Sequence, residues 1–145
     1  MLEGRYARWM YKWETRLTMR DEQVQRYARH MQLPDVGGLG QTSVLVSTAR
    51  VALRDADPRA ELVAATFLAA GGVGTLVVPN ASDAQRAELA AHGPDTRVVA
   101  DGTGRDVTLE PRPSWWPTAE GDAEALAYWR GGLAAAIWLA DAASR

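Results

Sequence analysis

Arg26 and Arg29, one helical turn apart with His30 beside the second, come closest in type and spacing to a chemical site. Guanidinium groups can grip an anion, and an imidazole can act as a general base. The ordinary alternative is that the arginines are solvated or paired with carboxylates and the histidine is packed. The other candidates remove chemistry rather than add it. Cysteine is absent, which excludes disulfides, thiolate or persulfide catalysis and Cys-based zinc sites. His30 and His92 are the two histidines and cannot by themselves hold a metal. The carboxylates Asp55, Asp57 and Glu61, and later Asp101, Asp106 and Glu110, have no spacing that fixes a common face, so they read as solvated loop groups. Ser47, Ser82 and Ser114 lie in no G-x-S-x-G context. Covalent chemistry is unsupported, and the sequence assigns no catalytic, cofactor-binding or metal-ligating residue and no cofactor.

The elements around these side chains follow from periodicity and punctuation. Residues 3–19 have helical spacing, with Tyr6, Trp9, Met10, Trp13 and Leu17 on one face and Arg5, Arg8, Lys12 and Arg16 as a neighbouring basic stripe. A second short helix is expected from Arg20 to Met31, ending at Leu33-Pro34 because the residue before proline disfavours the α region. Val44 to Ser47 reads as the first strand. Pro58 suits the start of a helix from Arg59 to Ala70, with Leu62, Ala65, Thr66 and Ala69 on its apolar face, and Gly71-Gly72 ends it. Val73 to Val78 reads as a second strand, Ser82 as the cap of a helix from Asp83 to Ala91, and Thr96 to Ala100 as a third strand. A short strand is expected at Thr108 to Pro111. The proline-rich run from Pro111 to Pro117 reads as a loop anchored by Trp115 or Trp116. A last helix, from Ala119 to Ala142, is expected to be broken or closely packed at Gly131-Gly132.

This alternation implies an α/β fold of Rossmann type, a mainly parallel sheet flanked by helices, preceded by an N-terminal helical arm. The division is an arm over residues 1–24 and one domain over 25–145. A length of 145 residues fits a single core. The first thirty residues are net basic and the rest net acidic, and the overall charge of −2 argues against nucleic acid as a partner. No apolar run is long enough for a bilayer, and the arginines of the first twenty residues interrupt any secretory signal, so a cytoplasmic location is expected.

Three segments carry a family resemblance: Gln25 to Val46, which contains Arg26-Tyr-Ala-Arg-His30 and Gly37-Gly-Leu-Gly-Gln41; Phe67-Leu-Ala-Ala-Gly-Gly-Val-Gly-Thr-Leu76; and the small-residue run Gly131 to Ala140. In order and spacing they resemble the ThiF/MoeB/HesA family, bacterial relatives of ubiquitin-activating enzymes. That resemblance implies a Rossmann-like domain, an ATP site behind the first strand and a dimer in which the arm's second arginine, here Arg29, reaches the partner's nucleotide. The departures imply loss of that site. The expected glycine-rich phosphate loop is replaced by a stretch between Val46 and Arg59 that contains no glycine but holds Arg50, Arg54, Asp55 and Asp57. The strand-end acidic motif is replaced by Val77-Val-Pro-Asn-Ala-Ser82. The adenylation lysine and the zinc-binding cysteines have no counterparts, and the length is short for a complete activating enzyme.

The expected function is therefore a non-catalytic ThiF-like pseudoenzyme, a structural or regulatory subunit that assembles with itself or with another protein. Tyr6, Trp9, Trp13, Arg26, Arg29, Leu133 and Ile137 are its candidate interface residues. The alternative is an adenylyltransferase-like enzyme in which Arg50 and Arg54 take over the phosphate contacts. The aromatic N-terminal segment could form a core face, dock into a partner or lie on an anionic membrane, the last admitted but not favoured.

Overall fold

The computed structural model describes residues 19–116 and 122–145. Within them, α1 (Asp21–Arg26), α2 (Ala28–Met31) and α3 (Gly37–Leu45) precede β1 (Thr48–Arg50). Then follow α4 (Arg59–Ala70), β2 (Thr75–Val77), α5 (Asp83–His92), β3 (Arg97–Val99), β4 (Arg105–Asp106) and α6 (Ala123–Ala143). The sheet has the order β3-β2-β1-β4 and every pairing is parallel, so the fold is a Rossmann-like α/β layer with flanking helices.

Strand alternation sorts the side chains. Ala49 lies beside Leu76 in register, and both, with Val51 and Val78, pack against Ala65, Leu68 and Ala69 of α4, Leu89 of α5 and Ala135, Trp138 and Ala142 of α6. The second face carries Thr48, Arg50, Thr75, Val77, Arg97 and Val99. The β3–β4 connection crosses it, with Gly102 against Val77 and Gly104 against Thr48.

The helices of the layer form for different local reasons. Buried residues on α4 fall at 60/61, 64/65 and 68/69, the repeat of a single helical face. Ser82 caps α5 through a reciprocal capping box with Gln85. On α6, Gly131 produces no break. Its missing Cβ lets the helix lie on the Ala60 carbonyl and on Val63, where an added carbon would come within 2.7 Å of Val63 Cβ. The contact between α4 and α6 is the most extensive between any two elements.

Several expectations need correction. Val44–Ser47 is not the first strand: α3 continues through Leu45, and β1 starts at Thr48. The β-prone Val-Leu-Val run yields to tertiary context, because burial falls on Gly40, Gln41 and Val44 at helical spacing and leaves Val46 exposed. The helix expected over Arg20 to Met31 is two pieces, with the break at Tyr27. The short strand lies at Arg105–Asp106 rather than Thr108 to Pro111, because Arg105 and Asp106 are the residues in register with Ala49 and Arg50. Trp116 is the more enclosed tryptophan of the proline-rich loop, while Trp115 is exposed.

Candidate functional site

In a parallel sheet a ligand crevice opens at the carboxyl ends of the strands where strand order reverses, here between β1 and β4. Two charged pairs of the chain itself stand at this edge. Arg50, the last residue of β1, donates to Asp106 of β4 at 3.1 Å. The Asp57 carboxylate accepts the Arg59 backbone N–H at 3.2 Å and also holds the Arg59 guanidinium, with Nη2 at 2.6 Å. These bonds, from the guanidinium first and then from the amide, hold the Asp57 carboxyl below its ordinary range. An anion is thus already present at the amino terminus of α4, where a phosphate would meet the free amides. Arg50 is a strand residue rather than part of the loop, which leaves Arg54, exposed on the β1–α4 connection, as its cation between Val51 and Pro58.

The arm motif has a structural use. The side chain of Asp95 is 2% exposed and accepts from Arg20 at 2.9 Å, Gln23 at 3.1 Å, Tyr27 at 2.7 Å and the guanidinium of Arg26. Burial pushes this carboxyl up, but the bonds from Tyr27, Gln23 and Arg26 outweigh it and hold it below the ordinary range. The Tyr27 phenol is pushed up to about 12, by burial first and then by its bond to Asp95. Its ring covers Gly72, where φ is +88° and an added Cβ would meet the ring at 2.6 Å. His30 Nδ1 lies 3.2 Å from Gln41 Oε1, while Gln41 Nε2 donates to the Gly71 carbonyl at 3.0 Å. An amide oxygen only accepts, so the proton is on Nδ1. Arg26 and His30 thus tie the arm to the end of α4, whereas Arg29 is exposed and forms no ion pair among the described residues.

The sequence matches no protein-family model and no curated protein. Function must therefore be argued from surfaces.

The outer surface of α4 and α6 is nearly free of charge. From Leu62 to Ala70 α4 has none, and from Ala125 to Ala140 α6 has Arg130, whose Nε donates to the Glu110 carbonyl at 2.6 Å. Tyr128 and Ile137 are 61% and 56% exposed on α6, and Phe67 of α4 packs edge-on against Tyr128 with ring centroids 5.5 Å apart. Trp129 meets Trp115 and Trp116 at 6.3 and 6.0 Å. Of the expected interface residues, Ile137 is exposed on α6 but on the opposite side of the helix from Tyr128, Leu133 is half-buried, and Tyr6, Trp9 and Trp13 lie outside the described residues. Among the described residues no helix is long and apolar enough to cross a membrane.

Sequence reasoning missed Asp95, Phe67 and Tyr128. The absence of charge along α4 and α6 was a readable signal for the last two. Nothing local marks Asp95, which meets the arm only through the fold. At the opposite, amino edge of the sheet, a cleft of about 380 Å³ is lined by Ser47, Thr48, Arg105, Trp138 and Arg145. Its cations are already engaged: Arg105 lies over the Trp138 ring at 4.3 Å and pairs with Asp141, which Arg145 also holds at 3.0 Å.

Proposed function

We propose that this chain is a non-catalytic ThiF-like protein, a cytoplasmic structural or regulatory subunit whose work is to bind protein. The observation that carries this reading is the occupied carboxyl edge. Asp57 takes the amide and guanidinium that an anionic ligand would need, and Asp106 takes Arg50. The connection from Val51 to Pro58 contains no glycine, so every residue in it carries a Cβ where a phosphate loop needs close backbone approach. Against that edge stands a helical pair whose outer surface from Leu62 to Ala70 and from Ala125 to Ala140 carries Arg130 as its one charge. A helix apolar on all sides is normally buried, and a contiguous exposed apolar patch marks an interaction site. Aromatic residues such as Tyr128 and Trp129 are of the type that anchors protein interfaces. Neither nucleic acid nor a resident cofactor is part of this reading.

The alternative, an adenylyltransferase-like enzyme, rests on exposed Arg54 alone at this edge, since Arg50 is paired. Titration with ATP and magnesium separates the two. A nucleotide that binds the folded state raises the melting temperature progressively once it exceeds its dissociation constant. We expect no shift at millimolar ATP, and no pyrophosphate exchange with carrier proteins ending in Gly-Gly. A saturable shift abolished by Arg54→Ala would establish the enzyme reading instead.

A further inference from the structure

We propose that Glu61, at the start of α4, is the acceptor for an aliphatic primary ammonium group, carried by a small amine or by a lysine side chain of a protein partner. Its sequence context reads as a solvated loop carboxylate, yet Glu61 is 3% exposed. It lies four and seven residues before Ala65 and Leu68, on the face of α4 that packs against the sheet. Because α4 follows β1 through a single connection, its first turn stands at the carboxyl ends of the strands, where a parallel sheet opens its ligand crevice. There Glu61 Oε2 is fully buried and has no hydrogen-bond partner.

A buried carboxylate oxygen without a donor is destabilising, and an apolar side chain of similar size avoids that cost. The nearest cations of the chain are engaged elsewhere. Arg59, two residues away, is held by Asp57, and Arg50 is held by Asp106. No lysine occurs among the described residues. The donor must therefore come from outside them, and the surroundings select its kind. Glu61 repels a phosphate, as Asp57 does. A divalent metal ion needs a shell of oxygen ligands, whereas no group of three acidic, histidine or cysteine residues gathers among the described residues. An ammonium is a compact donor that also neutralises the carboxylate, and an alkyl stem suits the apolar side chains that share this face. The site goes beyond the protein-binding reading and does not require it, since a free amine offers the same group.

The full-length chain is melted in ethylammonium chloride, in Nα-acetyl-lysine methylamide and, for charge without an N–H donor, in tetramethylammonium chloride. We expect the first two to raise the melting temperature saturably, by about 3 °C more than tetramethylammonium at about ten times the dissociation constant. Saturation by the lysine derivative at a concentration about tenfold lower than ethylammonium assigns the site to a partner's lysine, and any other order assigns it to a free amine. Glu61→Gln keeps the shape, removes the charge and should lose the shift. Glu61→Leu removes the need for a donor and should melt no lower than the wild type when no amine is present. No shift beyond that of tetramethylammonium in the wild type, or an equal shift in Glu61→Gln, would overturn the proposal. Glu61→Leu melting well below the wild type would overturn it too, because the carboxylate would then be paired within the chain. These outcomes are separable from the ATP titration, whose shift is tied to Arg54.

Discussion

The two outer helices of the layer, α5 and α6, pack against the same core by opposite means. The first is short and charged on its outward side, buries Leu89, is capped by Ser82 at its start and is followed by the Asp95 clasp. The second runs from Ala123 to Ala143, has no side-chain cap, buries small residues together with Trp138 and leaves tyrosine and isoleucine outside. The amphipathic helix turns its charged side outward and has its amino end closed by local side chains. The apolar one is held by close backbone approach and has a surface suited to further burial. The comparison teaches that the exposed apolar side chains of this protein lie on the helical layer rather than at the sheet edge where a parallel sheet opens a ligand crevice.

Five substitutions would break or sharpen that contrast, beginning with the largest effect. Gly131→Val places carbon against the Ala60 carbonyl and Val63, and overpacking of this kind should cost about 3 kcal/mol in urea unfolding. An unchanged midpoint would mean that the α4–α6 contact is looser than described. Asp95→Asn removes the charge that gathers Arg20, Arg26 and Tyr27 and should cost about 2 kcal/mol, less than a fully buried pair because both arginines remain partly in water. Asp95 also sets a pH dependence. Its carboxyl is held lower in the folded state, so its contribution is present above the unfolded pKa of about 4 and is lost as pH falls through the folded value. Unfolding of Asp95→Asn should accordingly depend less on pH in the acid limb, and identical limbs would remove Asp95 as its source.

On the face itself, Ile137→Asp should cost about 1.5 kcal/mol if the surface is covered, whereas Ala87→Lys on the outward side of α5 should stay within about 0.5 kcal/mol. Equal and negligible effects would erase the difference between the two helices. The smallest substantial change is Ser82→Ala, which breaks the capping box of α5 and should cost about 1 kcal/mol, read from the melting temperature. No change there would show that α5 is held by its tertiary contacts instead of its cap.

The sequence alone determined the alternation of strand and helix from Arg59 to Val99, because each element there carries its own punctuation. Pro58 opens α4, Gly71-Gly72 closes it, and Ser82 with Gln85 starts α5. Local sterics and short-range hydrogen bonds specify such boundaries, and both can be read along the chain. The scarcity of charge from Leu62 to Ala70 and from Ala125 to Ala140 is also written in the sequence, but which of those residues face outward was decided by packing. Only the tertiary structure decided that Val44 and Leu45 belong to a helix, that Arg50 is a strand residue facing Asp106, and that Asp95 receives the arm. These outcomes depend on groups far apart in sequence, as with Arg26 and Asp95 or Arg50 and Asp106. Which side chain meets a given charge is set by chain crossing and strand register, and no local propensity records either.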